Sequence, residues 1–203
     1  MILAFDTSSA ACTAAVFEVD GTLVARADER IGRGHSERLV PMIDELLAGR
    51  RADRILVGVG PGSFTGIRVG IAAAHGLAIG WNAELRGFSS LALLAASSAT
   101  DGNVAVAITG GHGQLFVQPF DSATLEPASG IESLEPAAAA KSIAVPLVIG
   151  SGAAQLVEAR GFGEAREAWP AAADVLRLPA GLRSLDPRPV YARAPDAKAL
   201  EAA

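Results

Sequence analysis

The sequence predicts an α/β protein of two lobes, in which the first lobe has a mixed sheet with helices on its faces. Half of the 203 residues are hydrophobic and 19% are charged, which suits a chain with a core of ordinary size. Strand-like and helix-like segments alternate through the first half of the chain. The composition changes near residues 99–102, and nine of the eleven prolines lie at Pro119 or later. We therefore divide the chain into a first lobe, residues 1–100, and a smaller second lobe with a C-terminal tail, residues 101–203.

Three strands are predicted at the start of the chain. They cover residues 2–6, 12–19 and 22–27, whose apolar or alternating residues are typical of strands. Asp20-Gly21 between the second and third strands forms a two-residue hairpin turn. The first lobe therefore begins as an antiparallel meander.

A helix is predicted next, between Ser36 and Leu47. Its apolar residues have helical spacing, and Gly49 stands where a C-cap belongs. Pro41 lies early in this pattern and has no N–H to donate, so the regular helix is expected to begin near Arg38.

Two strand and helix pairs complete the first lobe. A buried parallel strand at 55–59 ends in Gly60-Pro61-Gly62, and the helix at 65–79 follows it. Glycine or alanine recurs at every fourth position of this helix. Each interior glycine destabilises a helix by about 0.5–1 kcal/mol relative to alanine, so the stripe indicates close approach of another backbone, either the chain's own sheet or a partner helix. A strand at 84–88 and a short helix from Ser89 or Ser90 to about Ala96 come last.

The second lobe is predicted from a weaker pattern. Strands are expected at 103–108, 115–120 and 145–149, and helices at 136–141 and 153–160. From Pro179 onward a proline-rich strand at 190–193 and a polar tail are expected to lie on the surface.

This order of elements predicts the fold class. Strand, strand, strand, helix, strand, helix, strand, helix is the order of a ribonuclease-H-like half, the unit duplicated in the actin, sugar-kinase and Hsp70 (ASKHA) fold. We therefore expect an actin/Hsp70-like, ribonuclease-H-like N-terminal lobe followed by a smaller, degenerate α/β lobe.

Composition excludes several classes of function. The net charge of −5 and pI of about 5.2 argue against extensive, sequence-independent binding of nucleic acid by this chain alone, because such binding needs many Lys or Arg contacts to phosphates. A local basic patch stays open. The single cysteine, Cys12, allows neither an intrachain disulfide nor a cysteine-based zinc site, and we expect it to be a small buried core residue.

The sequence predicts neither a signal peptide nor a membrane span. No basic residue precedes Asp6 near the N-terminus. The longest uncharged stretch, residues 102–120, contains four glycines, a proline and several polar groups. We therefore expect a cytoplasmic protein.

Four stretches of the first lobe carry a resemblance to a known family. They are MILAFDTS at 1–8, HSERLVPMI at 35–43, GPGSFTGIRVG at 60–70 and AHGLA at 74–78. In order and spacing they resemble the TsaB (YeaZ) family, densely over residues 1–98 and thinly beyond.

The resemblance implies a non-catalytic partner of TsaD, the enzyme that transfers threonylcarbamoyl from its adenylate to an adenosine next to the anticodon of tRNAs. It also implies a TsaE-type ATPase as a further partner, a homodimer when the chain is alone, and contact with tRNA only through the complex. In TsaD relatives two metal-binding histidines, four residues apart, follow the strand that 84–88 resembles. Ser90 and Leu94 stand there in this chain, so we expect no metal and no catalytic residue.

The expected partner interface lies on the first two helices. A partner of the same fold can offer a matching helix pair, and the small residues would let the four helices pack closely. The same surface would serve a two-fold homodimer. The predicted interface residues are Leu39, Met42, Ile43, Leu46, Gly66, Arg68, Gly70, Ala74 and His75.

Asp6, Thr7 and Ser8 close the first strand and are candidates for nucleotide binding. In nucleotide-binding relatives an acid here holds a metal-bound phosphate through water, and hydroxyls reach the phosphate. The alternative is that Asp6 caps a turn and the hydroxyls satisfy backbone groups. We expect no cofactor on this chain alone, while ATP or ADP at the partner interface stays open.

Two other function classes stay open from the sequence. A nucleotide-dependent, kinase-like enzyme of the same fold would hydrolyse ATP or transfer phosphoryl as an isolated chain. A metallopeptidase would hold stoichiometric metal, for which His35, His75 and His112 are too scattered. The turn at 109–116 departs from the acidic, arginine-rich turn usual in the TsaB family, which leaves the role of the second lobe open.

Overall fold

The computed structural model describes residues 1–98 and 102–192. The first lobe consists of β1 (Ile2–Asp6), β2 (Ala11–Phe17), β3 (Leu23–Arg30), α1 (His35–Leu47), β4 (Arg54–Gly58), α2 (Phe64–Trp81), β5 (Glu84–Phe88) and α3 (Ser90–Ser97). Its sheet has the order β3-β2-β1-β4-β5. The meander β1 to β3 is antiparallel, whereas β4 and β5 run parallel to β1. The predicted mixed sheet is confirmed.

The second lobe contains a second five-stranded sheet, in the order β10-β9-β6-β7-β8. Its elements are β6 (Asn103–Thr109), β7 (Leu115–Asp121), β8 (Glu132–Leu134), α4 (Pro136–Ser142), β9 (Leu147–Ile149), α5 (Ala153–Arg160) and β10 (Glu164–Arg166). The outer strands β8 and β10 were not predicted, because three residues are too few to show a period of two and, unlike β9, neither strand is a continuous apolar run.

The chain after β10 returns to the first lobe. Ala172 N donates to Thr13 Oγ1 at 2.7 Å, and Leu185 exchanges both backbone hydrogen bonds with Gly87. By these contacts residues 172–192 extend the first lobe, although the sequence placed them with the second. The strand predicted at 190–193 does not form over 190–192, and residue 193 lies outside the described residues.

The two faces of the first sheet bury separate cores. Leu3 and Val57 share one core with α1 and α2. Ile2 and Leu56 share the other with α3 and the second lobe. Cys12 is buried in the first core, as expected, and burial raises the pKa of its thiol to about 11.

Helix α1 begins three residues before its predicted start. Its N-cap, Gly34, has a left-handed backbone with φ of 87°, which glycine adopts without strain. Pro41 lies inside the helix, and the missing N–H removes a single hydrogen bond while neighbouring apolar side chains hold the helix on the sheet. Over the described residues no helix has the length and apolarity needed to cross a bilayer.

Candidate functional site

The small-residue stripe of α2 packs against the chain's own β1. A Cβ built on Gly66 would lie 2.0 Å from the carbonyl oxygen of Thr7, and one on Gly70 would lie 2.6 Å from Thr7 Oγ1. Ala74 is buried in the same core. The predicted partner interface is therefore wrong for Gly66, Gly70 and Ala74. These residues allow close approach of the chain's own sheet, which was the alternative to a partner helix.

The apolar stripe of α1 is also internal. Leu39, Met42 and Ile43 are buried in the core shared by α1, α2 and the first sheet, so the interface prediction is wrong for these three residues as well. An amphipathic helix on a sheet presents its apolar face to that sheet. Leu46 is half-buried at the edge of this core.

A different surface of the same two helices stays exposed. We call it the outer face, and it consists of Val40, Ala72, Gly76, Ile79 and Gly80. Val40 is 51% exposed and Ile79 is 82% exposed. A Cβ built on either glycine would meet no atom within 4 Å. The four α2 residues follow helical spacing and share one stripe, so the α2 part of the outer face is apolar and exposed to solvent. On α1, Glu37 and Asp44 lie one turn to either side of Val40 and are exposed and charged.

Arg68 and His75 hold the returning chain against α2. The Arg68 guanidinium lies 3.6 Å from the centre of the Phe64 ring, and its Nε donates to Tyr191 Oη at 3.0 Å. Phe64 and Tyr191 stack with ring centres 5.6 Å apart. His75 Nε2 lies 3.4 Å from the Pro187 carbonyl oxygen. Both predicted interface residues are exposed and are already engaged within this chain.

The structure favours the structural alternative for the end of β1. Asp6, Thr7 and Ser8 are all buried. Asp6 Oδ1 accepts hydrogen bonds from the backbone N and Oγ of Ser8, at 2.8 and 2.7 Å, and Asp6 Oδ2 accepts from Ser90 Oγ at 2.5 Å. Thr7 Oγ1 donates to the Gly66 carbonyl oxygen at 2.7 Å. Both carboxylate oxygens of Asp6 are therefore hydrogen-bonded within this chain, one to the turn after β1 and the other to the start of α3.

The two positions that resemble metal ligands in TsaD relatives are interior. Ser90 Oγ accepts from the Gly60 N–H at 3.0 Å while it donates to Asp6, and Leu94 belongs to the core between the lobes. Within residues 1–98 and 102–192, no three His, Cys, Asp or Glu side chains are grouped so that they could hold a metal ion.

A cleft of about 1190 Å³ lies between the lobes, beside the N-termini of α1 and α2. Among the described residues that line it, no Asp or Glu occurs, while Arg33 and Arg68 contribute positive charge. Its aromatic lining residues are Phe64, Phe116, Trp169 and Tyr191. An anion with an apolar part suits such walls. Sequence reasoning identified the glycine-rich turn that carries Phe64 but did not predict that Phe116, Trp169 and Tyr191 join the cleft from distant parts of the chain.

Comparisons with known proteins identify the family. The family model described as "TsaD: tRNA N6-adenosine threonylcarbamoyltransferase" matches residues 28–155, more than half of the chain. A crystal structure of a Pseudomonas aeruginosa protein, described as similar to peptidase YeaZ, superposes with a TM-score of 0.79 at 30% identity and covers 95% of this chain and 99% of that one. The chain belongs to the TsaB (YeaZ) family of TsaD-like proteins.

Curated members of the TsaB family match a part of this chain. The tRNA threonylcarbamoyladenosine biosynthesis protein TsaB of Escherichia coli is 39% identical over 99 residues, and that of Haemophilus influenzae is 40% identical over 100 residues. Each match covers 46% of this chain, and 42% and 41% of the respective relatives. The matched segment thus spans about two fifths of the curated relatives. The sequence-based family assignment and the actin/Hsp70-like fold class are confirmed.

Proposed function

We propose that this chain acts in tRNA threonylcarbamoyladenosine biosynthesis as a non-catalytic subunit that binds and activates a TsaD-type transferase. The outer face carries this proposal, because it leaves an apolar surface of α2 uncovered, whereas the apolar stripe of α1 and the small-residue stripe of α2 are buried against the first sheet. The names of the curated relatives, tRNA threonylcarbamoyladenosine biosynthesis protein TsaB, support the pathway. The match to the TsaD family model supports a partner with a related fold.

The outer face suits close contact between helices. Alanine and glycine at positions 72, 76 and 80 let a partner helix approach the α2 backbone closely. Complete burial of an exposed isoleucine contributes about 1.5–3 kcal/mol, and Ile79 has most of its surface available for this. The same face would serve a homodimer through a two-fold axis. A TsaE-type ATPase would then join the complex, and tRNA would be brought to this chain by the assembled complex.

A kinase-like enzyme remains the second candidate, and the cleft between the lobes is the observation in its favour. The cleft has room for a nucleotide, and among the described residues that line it no carboxylate occurs. Against this candidate, both carboxylate oxygens of Asp6 are already hydrogen-bonded to Ser8 and Ser90, and phosphoryl transfer on this fold needs an acid that reaches the metal-bound phosphate. ATP or ADP at the partner interface is compatible with the subunit role.

A reconstituted reaction distinguishes these functions. We expect the purified chain alone to transfer no threonylcarbamoyl to tRNA and to hydrolyse no ATP. Added to the TsaD-type transferase of the same organism, with threonylcarbamoyl adenylate and tRNA, it should raise the transfer rate well above that of the transferase alone. The measurement is the incorporation of labelled threonine into tRNA. ATP turnover by the chain alone would favour the kinase-like enzyme instead.

A further inference from the structure

A small pocket at the far end of the first sheet contains three arginines and one acid. It has a volume of about 230 Å³ and is lined by Arg54, Glu84, Arg86 and Arg183, beside the first residues of β1, β4 and β5. The Nε atoms of Arg54 and Arg86 both donate to Glu84, at 2.8 and 3.0 Å. Arg183 forms no ion pair with any residue that the structure describes. The pocket is therefore positive, with a charge of +2 from these four side chains, in a chain whose net charge is −5.

This excess of charge leaves donors available for an anion. Arg54 and Arg86 use only Nε toward Glu84, and within the described residues their Nη groups donate no hydrogen bond. Each guanidinium has five N–H donors in a planar fork, a geometry that matches the oxygens of a phosphate. Both side chains are about half exposed, so an anion can enter without a rearrangement of the fold.

The pocket lies away from the outer face and from the cleft between the lobes. Arg54 is paired in register with Ile2, and Arg86 with Leu56, so all four share one face of the sheet, opposite α1 and α2. The pocket also lies at the amino ends of β1, β4 and β5, whereas the cleft lies beyond their carboxyl ends. A ligand here would not compete with a partner on the outer face.

We infer that this pocket docks a backbone phosphate of an RNA. The exposed Arg51 lies three residues before Arg54, within a chain length of about 11 Å. Between them, Asp53 pairs with the N-terminal ammonium at 2.6 Å, so Arg51 and Arg54 leave this segment with positive charge next to the pocket. A free anion would need only the pocket, whereas a nucleic-acid strand carries its charges in a row. The inference rests on the proposed function, in which tRNA is the substrate of the complex. It adds a direct, local contact between this chain and that RNA.

Affinity for a fluorescently labelled tRNA, measured by anisotropy at low salt, tests the inference. We expect the wild-type chain to bind, and the double variant Arg86→Ala with Arg183→Ala to bind about tenfold more weakly. The slope of log affinity against log salt should fall by about one for each arginine removed. Arg166→Ala is the matched control, because Arg166 also pairs with a glutamate two residues away at 3.0 Å and is 45% exposed, against 49% for Arg86. The control should bind RNA within about twofold of the wild type.

Three outcomes would overturn the RNA pocket: no binding of tRNA by the wild type, equal affinity in the double variant, or binding of inorganic phosphate at these arginines without binding of tRNA. Each of these leaves the titration of the TsaD-type partner unaffected. If the wild-type chain binds tRNA but does not bind the TsaD-type transferase, that result would instead count against the proposed function. The two proposals therefore fail separately.

Discussion

Replacing Gly66 with alanine is expected to lower the melting temperature by about 5–15 °C. The new Cβ would lie 2.0 Å from the carbonyl oxygen of Thr7, a backbone atom that cannot rotate away, so α2 or the end of β1 must shift. Alanine is the better helix former by close to 1 kcal/mol, which opposes the effect. The steric term is the larger one, and the net loss of unfolding free energy should be about 2–4 kcal/mol.

Gly76→Ala is the matched control on the same helix. A Cβ there meets no atom within 4 Å, so only helix propensity acts, and the melting temperature should stay level or rise by a few degrees. Thermal melts followed by circular dichroism compare the two variants. Equal melting temperatures would contradict the packing of the small-residue stripe on β1.

Met42→Glu is expected to abolish folding, although the sequence-based interface would have made this residue a surface position. Met42 is buried in the core beneath α1, and an unpaired carboxylate there has no compensating partner. We expect a loss of more than 4 kcal/mol. Val40→Glu, on the exposed side of the same helix, should fold normally. Near-native melting of Met42→Glu would place this residue on the surface and contradict the core assignment.

The order of elements and the mixed sheet could be predicted because they depend on local signals. Periodicity, the glycine-rich turn after β4 and the hairpin between β2 and β3 each depend on a few neighbouring residues. The hairpin connection covers residues 18–22, so the prediction of a two-residue turn at Asp20-Gly21 was wrong in length. The family resemblance depended on equally local runs of sequence. These features therefore required no knowledge of the packing between elements.

The element against which each helical stripe packs could not be predicted from local signals. A row of glycines at positions 66 and 70 suits a neighbouring sheet as well as a partner helix, because both need a close backbone approach. The sequence shows that these residues share a face, and only the assembled lobe shows that Thr7 occupies it. Leu39, Met42 and Ile43 were also misplaced at the interface, because an apolar helix face suits the chain's own sheet as well as a partner helix.

Contacts between distant parts of the chain were also beyond the sequence. Arg68 reaches Tyr191 only because residues 172–192 return to the first lobe. The basic pocket requires the register of β4 and β5 together with the position of Arg183. No spacing along the chain encodes either arrangement.

The most direct test of the central claim is a calorimetric titration of the TsaD-type transferase into wild-type chain and into Ile79→Glu. Ile79 is 82% exposed on the outer face, and Val19 at the β2–β3 turn is 78% exposed and provides the matched control as Val19→Glu. We expect the Ile79 variant to keep the wild-type melting temperature but to bind the transferase about a hundredfold more weakly or not at all, because the contact loses an apolar side chain and gains a buried charge. The Val19 variant should bind as the wild type does. Undiminished affinity of Ile79→Glu would contradict the assignment of the outer face as the partner-binding surface.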